Sequence, residues 1–577
     1  MSTETVDHPV IVTPVTRESM TITCTSPWAL NGSEYHPQNA AFKLLINGEE
    51  AFGAVHRAIA NAQKSVSIIC WGFQPSMYFI RDGSHPSIGQ LLEERAENNV
   101  KVRVLCWELA LANLPVNTTG KAGESNTPGR WRVGLKNRPP STNDTQYKID
   151  VDWYNKYDED QEWCDELLKW ARSTFGDEKK ASTRRAQNLH FRGRGFSTLD
   201  RLKLAVKHYD DDISLSTRGV LSAVPTHHQK MVLVDYEDPE LAVGFVMGHN
   251  MLDEYWDTSE HSSKPRTFYR TTHPEEHPNT VANGLLPRHD FSSMVTGPIL
   301  GDLYNNFATA WDKADGDKMS GADFKSYPVR KLDGMEFIEG QILRTQSQEG
   351  RQDIKSCYLQ AVNNATQYIH IENQYFRWPP LADAIKAAAE KQTQNGRVPE
   401  RDGYLYLFVI TNSGDEGVGA GIDNTYRMMK ALGRTDTLPQ VARQDKLAEI
   451  EQARWKVTRL EAERAQLDEQ AGLLNGLPNT SPRMTARYEA NARDLEAAKE
   501  RLKALEANQD AIKQEYDQQE AKSAEGSKAK NAEDQWQDEI DHKDSVIQPE
   551  PIPGLKSHIC TLVAPDTEDG KAWMEVY

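Results

Sequence analysis

The chain has 577 residues, with 67 Lys+Arg against 85 Asp+Glu and a formal net charge of −18. At roughly 150 residues per domain, this length predicts two to four domains. The acidic balance disfavours a protein that holds nucleic acid by general electrostatics, because phosphate binding needs an excess of Lys and Arg.

Met1–Glu18 has neither the basic n-region nor the apolar h-region of a secretory signal. No apolar run approaches the ~20 residues of a membrane span. The six cysteines are scattered, with no Cys-x-x-Cys pair, and predict buried free thiols rather than disulfides or structural zinc. These features point to synthesis in a reducing cytosol, with any export carried by something other than a cleavable signal.

Residues 1–41 are polar and Thr/Pro-rich and read as an N-terminal arm. From Phe42 the pattern is globular. Phe52, Val55, Ile59 and Ala62 recur at helical spacing over Glu49–Ala62. Ser65–Trp71 (SVSIICW) reads as a buried strand, Ile88–Asn98 as a helix and Val100–Trp107 as a second strand. This order predicts an α/β domain over 42–335, with helices packed on a mixed sheet. Residues 116–200 read as an insertion with a helix at Asp158–Ser173. Its basic segment Arg184–Arg194 reads as a solvated loop, with contact to a phosphate or headgroup as the alternative.

A second globular pattern starts near Gly340, and an internal repeat shows there. Laying Ala58 over Ala361 aligns AIANAQKSVSIICWGF with AVNNATQYIHIENQYF without a gap. Asn61/Asn364, Ala62/Ala365, Ile68/Ile371 and Phe73/Phe376 are identical in this alignment. Tyr404–Thr411 (YLYLFVIT) falls where the strand VKVRVLCW falls in the first half. The second half-domain is therefore assigned to 336–439 and is interrupted at 440–530. There, heptads through Ile450, Val457, Leu460 and Leu467, and again through Leu495, Ala498, Leu502 and Ile512, predict an antiparallel coiled-coil hairpin. The hairpin reads either as a spacer or as a docking arm. Residues 531–577 read as a linker and the resumed second half.

The strongest chemical signal is Val224–Asp235, VPTHHQKMVLVD: His228-x-Lys230, four residues, then Asp235. Met231–Val234 is apolar and β-branched, so His228 and Lys230 are expected on one face as the chain enters a strand. An ammonium that neutralises phosphate oxygens beside an imidazole that attacks phosphorus or moves a proton suits a phosphodiester. Downstream, GFVMGHNMLDEYWDT offers a tight turn at Gly248, an amide donor in Asn250, and Asp257 as a carboxylate to hold the Nδ1–H of His228.

These residues resemble the phospholipase D superfamily, whose signature is HxKxxxxD. The further matches are AFxxxxxAIxxAQKSVSI-xxW (51–71), MGHNMLDEYWDT (247–258), GPILGDLYNNFATAW (297–311) and YIHIENQYF (368–376). Within the superfamily, the pattern is most similar to bacterial phospholipase D toxins delivered by type VI secretion. The resemblance implies two related α/β/α half-domains with the cleft between them, and hydrolysis of phospholipids by a phosphohistidine route with no metal or other cofactor. It implies His228 as nucleophile, Lys230 and Asn250 as phosphate ligands, Asp235 as a largely structural aspartate and Asp257 as the orienting carboxylate. Glu372, Asn373 and Gln374 are implied on the strand lining the second half of the cleft. The glycine-serine-x-asparagine that usually follows the motif reads here as Met247-Gly248-His249-Asn250, without the serine.

The family mechanism needs two histidines. After Phe376 the remaining ones are His370's downstream neighbours His542 and His558, and neither begins an HxK. The repeat places the second motif near residue 577, with Lys571–Tyr577 as the strand leading into it. The expectation is a C-terminally truncated chain, inactive without a complementing C-terminal segment. Its partners would be a phospholipid membrane and a secretion component or immunity protein, with no nucleic acid. A nuclease or another phosphodiesterase of the superfamily, or a pseudoenzyme acting through its interactions, is the rival.

Overall fold

The computed structural model describes residues 26–108, 142, 144–159, 187–207, 225–263, 287–314, 316–412, 420–472, 482–525, 547–566 and 573–576. The fold is α/β, and the chain divides into two compact units.

The first unit runs through Ala365 and takes in Ala564–Gly570 and Met574–Tyr577. Its strands are β1 (Gln38–Ile46), β2 (Ser65–Cys70), β3 (Lys101–Trp107), β4 (Leu189–Arg194), β5 (Met231–Val234), β6 (Val243–Met247), β7 (Arg288–His289), β8 (Phe291–Thr296) and β9 (Glu336–Gly340). All but β7 form one eight-stranded sheet, in the order β4-β3-β2-β5-β6-β8-β1-β9. β2, β3 and β4 are parallel, and every pairing from β5 to β9 is antiparallel.

Helices α1 (Asn47–Ala60), α2 (Ile88–Glu97) and α3 (Asp144–Tyr157) cover one face. Their Phe52, Val55, Ile59, Leu92 and Trp153 share a core with Val66, Ile68, Val104 and Phe191. α2 starts in a capping box between Ser87 and Gln90. The first-turn acids Glu49 and Glu50 and the last-turn Arg57 of α1 match the helix dipole. After α4 (Thr198–Lys207), helix α5 (Leu300–Lys313) covers the other face. There Leu300, Leu303, Phe307 and Trp311 pack on Ile69, Leu105, Met231 and Leu233. A ribbon of β10 (Thr345–Gln346) and β11 (Arg351–Gln352) leads into α6 (Asp353–Asn364).

Several boundaries differ from expectation. β1 reaches back into the supposed arm, where Ala40 and Ala41 are buried. β9 pairs with β1, so residues 336–365 belong to the first unit and not to the second half. The insertion's described helix is α3, whereas Asp158 bridges to Phe191; the helix expected at Asp158–Ser173 otherwise lies outside the described residues. Cys70 and Cys106 are buried free thiols, but Cys560 is exposed.

The second unit contains β12 (Tyr368–Glu372), α7 (Pro379–Gln394), β13 (Leu405–Ile410), α8 (Ala420–Ala431) and β14 (Leu555–Cys560). β12, β13 and β14 form a parallel three-stranded sheet. Leu405, Leu407 and Val409 are buried on one face, and α7 buries Leu381, Ala382 and Ile385. A Cβ at Gly554 would lie 3.2 Å from the carbonyl oxygen of Ala389, so α7 runs close against the start of β14.

Between α8 and β14 lie α9 (Pro439–Gly472), α10 (Pro482–Glu506) and α11 (Gln509–Glu525). The cross-helix pairs Arg443–Glu515, Arg454–Glu506, Lys499–Glu461 and Arg487–Glu463 run in opposite directions along the two arms, which makes the hairpin antiparallel. Val457, Leu460, Leu495, Ala498 and Leu502 form its seam. The returning arm is broken at 507–508 into two helices.

Candidate active site

His228 and Lys230 stand just before β5, on backbone that is not yet strand. The alternation expected of them nevertheless holds. Lys230 Nζ lies 3.1 Å from Nε2 and 3.3 Å from Nδ1 of His228, so the ammonium faces the edge of the imidazole that carries both nitrogens. The intervening Gln229 and the preceding His227 make other contacts. Gln229 accepts from Arg194 Nη1 at 2.6 Å and donates to Asn306 at 3.3 Å, while His227 stacks on Phe196 at 3.9 Å. Trp71, at the end of β2, meets the His228 ring edge-on at 5.6 Å and stacks on Trp107. Trp107 in turn donates to the carbonyl of Pro225, which holds the segment from its other end.

Lys230 is buried, whereas His228 presents part of its ring to solvent. Burial pushes the Lys230 ammonium down to about 8, against the opposing pull of Asp290 and Cys70. The surrounding protein and then the Lys230 charge hold His228 below the usual imidazole range. Disfavouring the charged form keeps one ring nitrogen unprotonated, the form a nucleophile needs.

Asp235 turns the chain at φ 50°, in the left-handed region. Its carboxylate accepts from the backbone N–H groups of Gln63 (3.0 and 2.9 Å), Lys64 (2.7 Å) and Ser65 (3.0 Å). It ties the α1–β2 loop to the motif strand, with both oxygens engaged by backbone N–H groups. Asn250 is fully buried, with both side-chain amide atoms unpartnered. Since a buried polar group without a partner is costly, Asn250 is suited to a polar ligand. The adjoining Met251 bonds back to Gly72 and Gln74, which places Asn250 beside the chain that follows Trp71.

Asp257 is not the carboxylate that holds His228. Its side chain accepts from the backbone N–H of Arg288 (2.7 Å) and Thr258 (2.7 Å) and meets His261 at 3.1 Å. Its carbonyl accepts from Glu49 N–H at the start of α1. Asp257 is thus a structural junction between α1 and β7, and among the described residues the His228 ring nitrogens meet only Lys230.

The carboxylate whose charge acts on Lys230 is instead Asp290, which the sequence reading passed over. Burial pushes its carboxyl well above the usual range, against the Phe291 N–H, Lys230 and Arg288. Gly248 makes room for it. A Cβ there would come 2.1 Å from Asp290 Oδ1 and 2.5 Å from the Phe291 carbonyl oxygen. The glycine is therefore required by close approach and not by the tight turn expected of it. His249 bonds Ser292 at 2.8 Å in the core. The RHD triplet could have pointed to Asp290, since it precedes a strand that neighbours the motif hairpin.

The described part of the basic segment is not a solvated loop, because Leu189–Arg194 forms β4. Arg192 donates to Ala314 and pairs with Glu159, and Arg194 is committed to Gln229. Glu372, Asn373 and Gln374 belong to the second unit. There Glu372 meets His370 at 3.2 Å, Asn373 Oδ1 accepts from the Tyr375 N–H, and the Gln374 carbonyl accepts from Thr411. Among the described residues no cluster of His, Cys, Asp and Glu could hold a metal.

The family model described as Phospholipase D matches residues 58–127, which hold the end of α1, β2, α2 and β3. Phospholipase D alpha 1 of Oryza sativa subsp. japonica is 25% identical over 369 residues, covering 55% of this chain and 38% of the relative. Phospholipase D alpha 1 of Brassica oleracea var. capitata is 24% identical over 427 residues, covering 65% and 42%. These matches support the phospholipase D superfamily. The chain spans about two fifths of the length of the curated relatives it matches. A solved phosphatidylserine synthase of Haemophilus influenzae Rd KW20 overlaps 71% of this chain and 72% of its own, at a TM-score of 0.30 and 11% identity. Among the described residues, no helix is long and apolar enough to cross a membrane.

Proposed function

We propose that the chain carries the nucleophilic half of a phospholipase D-type hydrolase acting on membrane phospholipids. The observation that carries this reading is the His228 ring facing the buried Lys230 ammonium. The buried, unpartnered amide of Asn250 adds to it. In the proposed step Nε2 of His228 attacks phosphorus and the bond from phosphorus to the headgroup oxygen breaks. The products are a phosphatidyl-histidine and the headgroup alkoxide, which takes a proton from a second histidine. That histidine then removes a proton from water, and the resulting hydroxide frees phosphatidic acid. Lys230 and Asn250 neutralise and orient the phosphate oxygens.

Residues 1–577 contain one HxKxxxxD. By this reading they release little headgroup from phosphatidylethanolamine or phosphatidylcholine vesicles until a segment bearing a second motif is added. Full release by the chain alone as a monomer refutes the two-histidine scheme. In the completed enzyme His228→Ala abolishes turnover, and near-normal rates there refute the nucleophile. The role we propose is that of an antibacterial effector delivered by type VI secretion. It is supported by the motif resemblance, and the check is killing of a bacterial competitor that lacks an immunity protein.

A further inference from the structure

The motif pair stands where the sheet has not yet taken hold of the chain. His228 and Gln229 precede β5. Among the described residues the backbone ladder of this strand starts at the Lys230 carbonyl, which accepts from the Met247 N–H at 3.0 Å. Backbone outside a ladder keeps its dihedral freedom unless other groups remove it. Between the Pro225 carbonyl, bonded by Trp107, and Lys230, that task falls to side chains.

Gln229 lies inside this stretch, and both ends of its amide are used. Its oxygen accepts from Arg194 Nη1 at 2.6 Å, and its nitrogen donates to Asn306 Oδ1 at 3.3 Å. Asn306 Oδ1 also accepts from Arg344 Nη1 at 3.3 Å, and Asn306 Nδ2 meets Met231 Sδ at 3.3 Å. Asn306 thus grips Gln229 and Met231, the residues on either side of Lys230. Neither amide can turn over without setting donor against donor or oxygen against oxygen.

The network is charged and extends well behind the motif. Arg194, Asn306 and Arg344 are all buried. Burial lowers the Arg194 guanidinium to about 10, against the pull of Glu349. It therefore stays charged at neutral pH, and its bond to Gln229 is charge-assisted. Arg344 pairs with Glu349 at 3.0 Å and, through both Nε and Nη2, with Glu34 ahead of β1. Apolar side chains of the same volume often hold a core as well as buried ionic groups do. Cohesion alone does not call for such a network here, whereas a fixed arrangement of the motif does.

We propose that Gln229 is a positioning residue. Clamped between Arg194 and Asn306, it sets the backbone of the motif so that the Lys230 ammonium meets the His228 ring at 3.1 Å. Strand β4, helix α5 and the chain ahead of β1 act on the pair through it. That the pair so held takes a phosphodiester rests on the proposed function; the positioning itself does not.

The test uses the full chain with Gln229→Leu, Arg194→Met and the two combined, read by crystal structure, thermal midpoint and calorimetric titration with dimethyl phosphate. Each single variant leaves a polar group without its partner and lowers the thermal midpoint. The double variant removes both partners and melts close to the wild type. All three open the distance from Lys230 Nζ to His228 Nε2 beyond about 3.5 Å. All three also weaken dimethyl phosphate binding by about tenfold. Gln229→Glu keeps an oxygen for Arg194, so it retains the contact and binds within about threefold of the wild type. A double variant that melts like the wild type and keeps the 3.1 Å contact overturns the proposal, because a purely structural role would be restored there. So does Gln229→Glu opening the contact as Gln229→Leu does. If the wild type binds no dimethyl phosphate, the hydrolase reading fails, and the distance still decides the positioning.

Discussion

Asp235→Ala should cost the first unit about 5 kcal/mol. The Ser65 N–H is buried, and losing its acceptor leaves a donor that water cannot reach, at about 1–3 kcal/mol. The N–H groups of Gln63 and Lys64 are half-buried and can turn to water, so each contributes less, about 0.5–1.5 kcal/mol. Alanine at φ 50° adds about 1 kcal/mol of backbone strain. Asp235→Asn keeps the shape, tolerates the left-handed conformation and retains one acceptor oxygen, so its cost should be about half. Urea titration followed by tryptophan fluorescence reads both; with a slope of about 2–3 kcal/mol per molar, alanine shifts the midpoint by about 2 M. In low urea, affinity for dimethyl phosphate should be unchanged, because the carboxylate faces the α1–β2 loop and not His228. If alanine leaves the midpoint in place but abolishes phosphate binding, the structural assignment is wrong.

Three further outcomes are expected. Affinity for dimethyl phosphate, a monoanion throughout, should fall as pH rises through about 8. The Lys230 ammonium is present below that value and lost above it, and a flat profile in calorimetric titrations counts against Lys230 as ligand. Gly248→Ala should destabilise the first unit by about 1–3 kcal/mol and weaken phosphate binding, because its Cβ displaces Asp290 or the β8 backbone; a neutral thermal shift would mean that Asp290 moves freely. Leu460→Ala, in the hairpin seam, should cost about 2–4 kcal/mol of local helix stability by circular dichroism. Dimethyl phosphate affinity should stay unchanged, and a loss of it would tie the hairpin to the site.

Much of this architecture is legible in the chain because it is local. The apolar run at Ser65–Cys70, the helical spacing of Phe52, Val55 and Ile59, and the HxK alternation before β5 each follow from periodicity within a few residues. The repeat is legible for the same reason, since one helix–strand unit needs the same pattern wherever it occurs. Legibility failed where two distant segments had to meet. Asp257 and Asp290 both follow the motif within the same unit. Nothing in their spacing says that one is absorbed by backbone N–H groups at the α1 junction while the charge of the other acts on Lys230.

The sequence by itself determined the chemistry available: one imidazole and one ammonium two residues apart at a strand start, a nearby amide, a duplicated α/β unit and a long helical hairpin. Only the tertiary structure decided how these groups are used. It set Asp290 where its charge acts on Lys230, and required glycine at 248 because that carboxylate fills the space. It spent Arg192 and Arg194 on internal partners, took 336–365 into the first unit through the β1–β9 pairing, and left the outer edge of β12 unpaired among the described residues. The physical reason is common to all five. Burial and strand pairing depend on which remote segments arrive at the same place, and local periodicity carries no record of that.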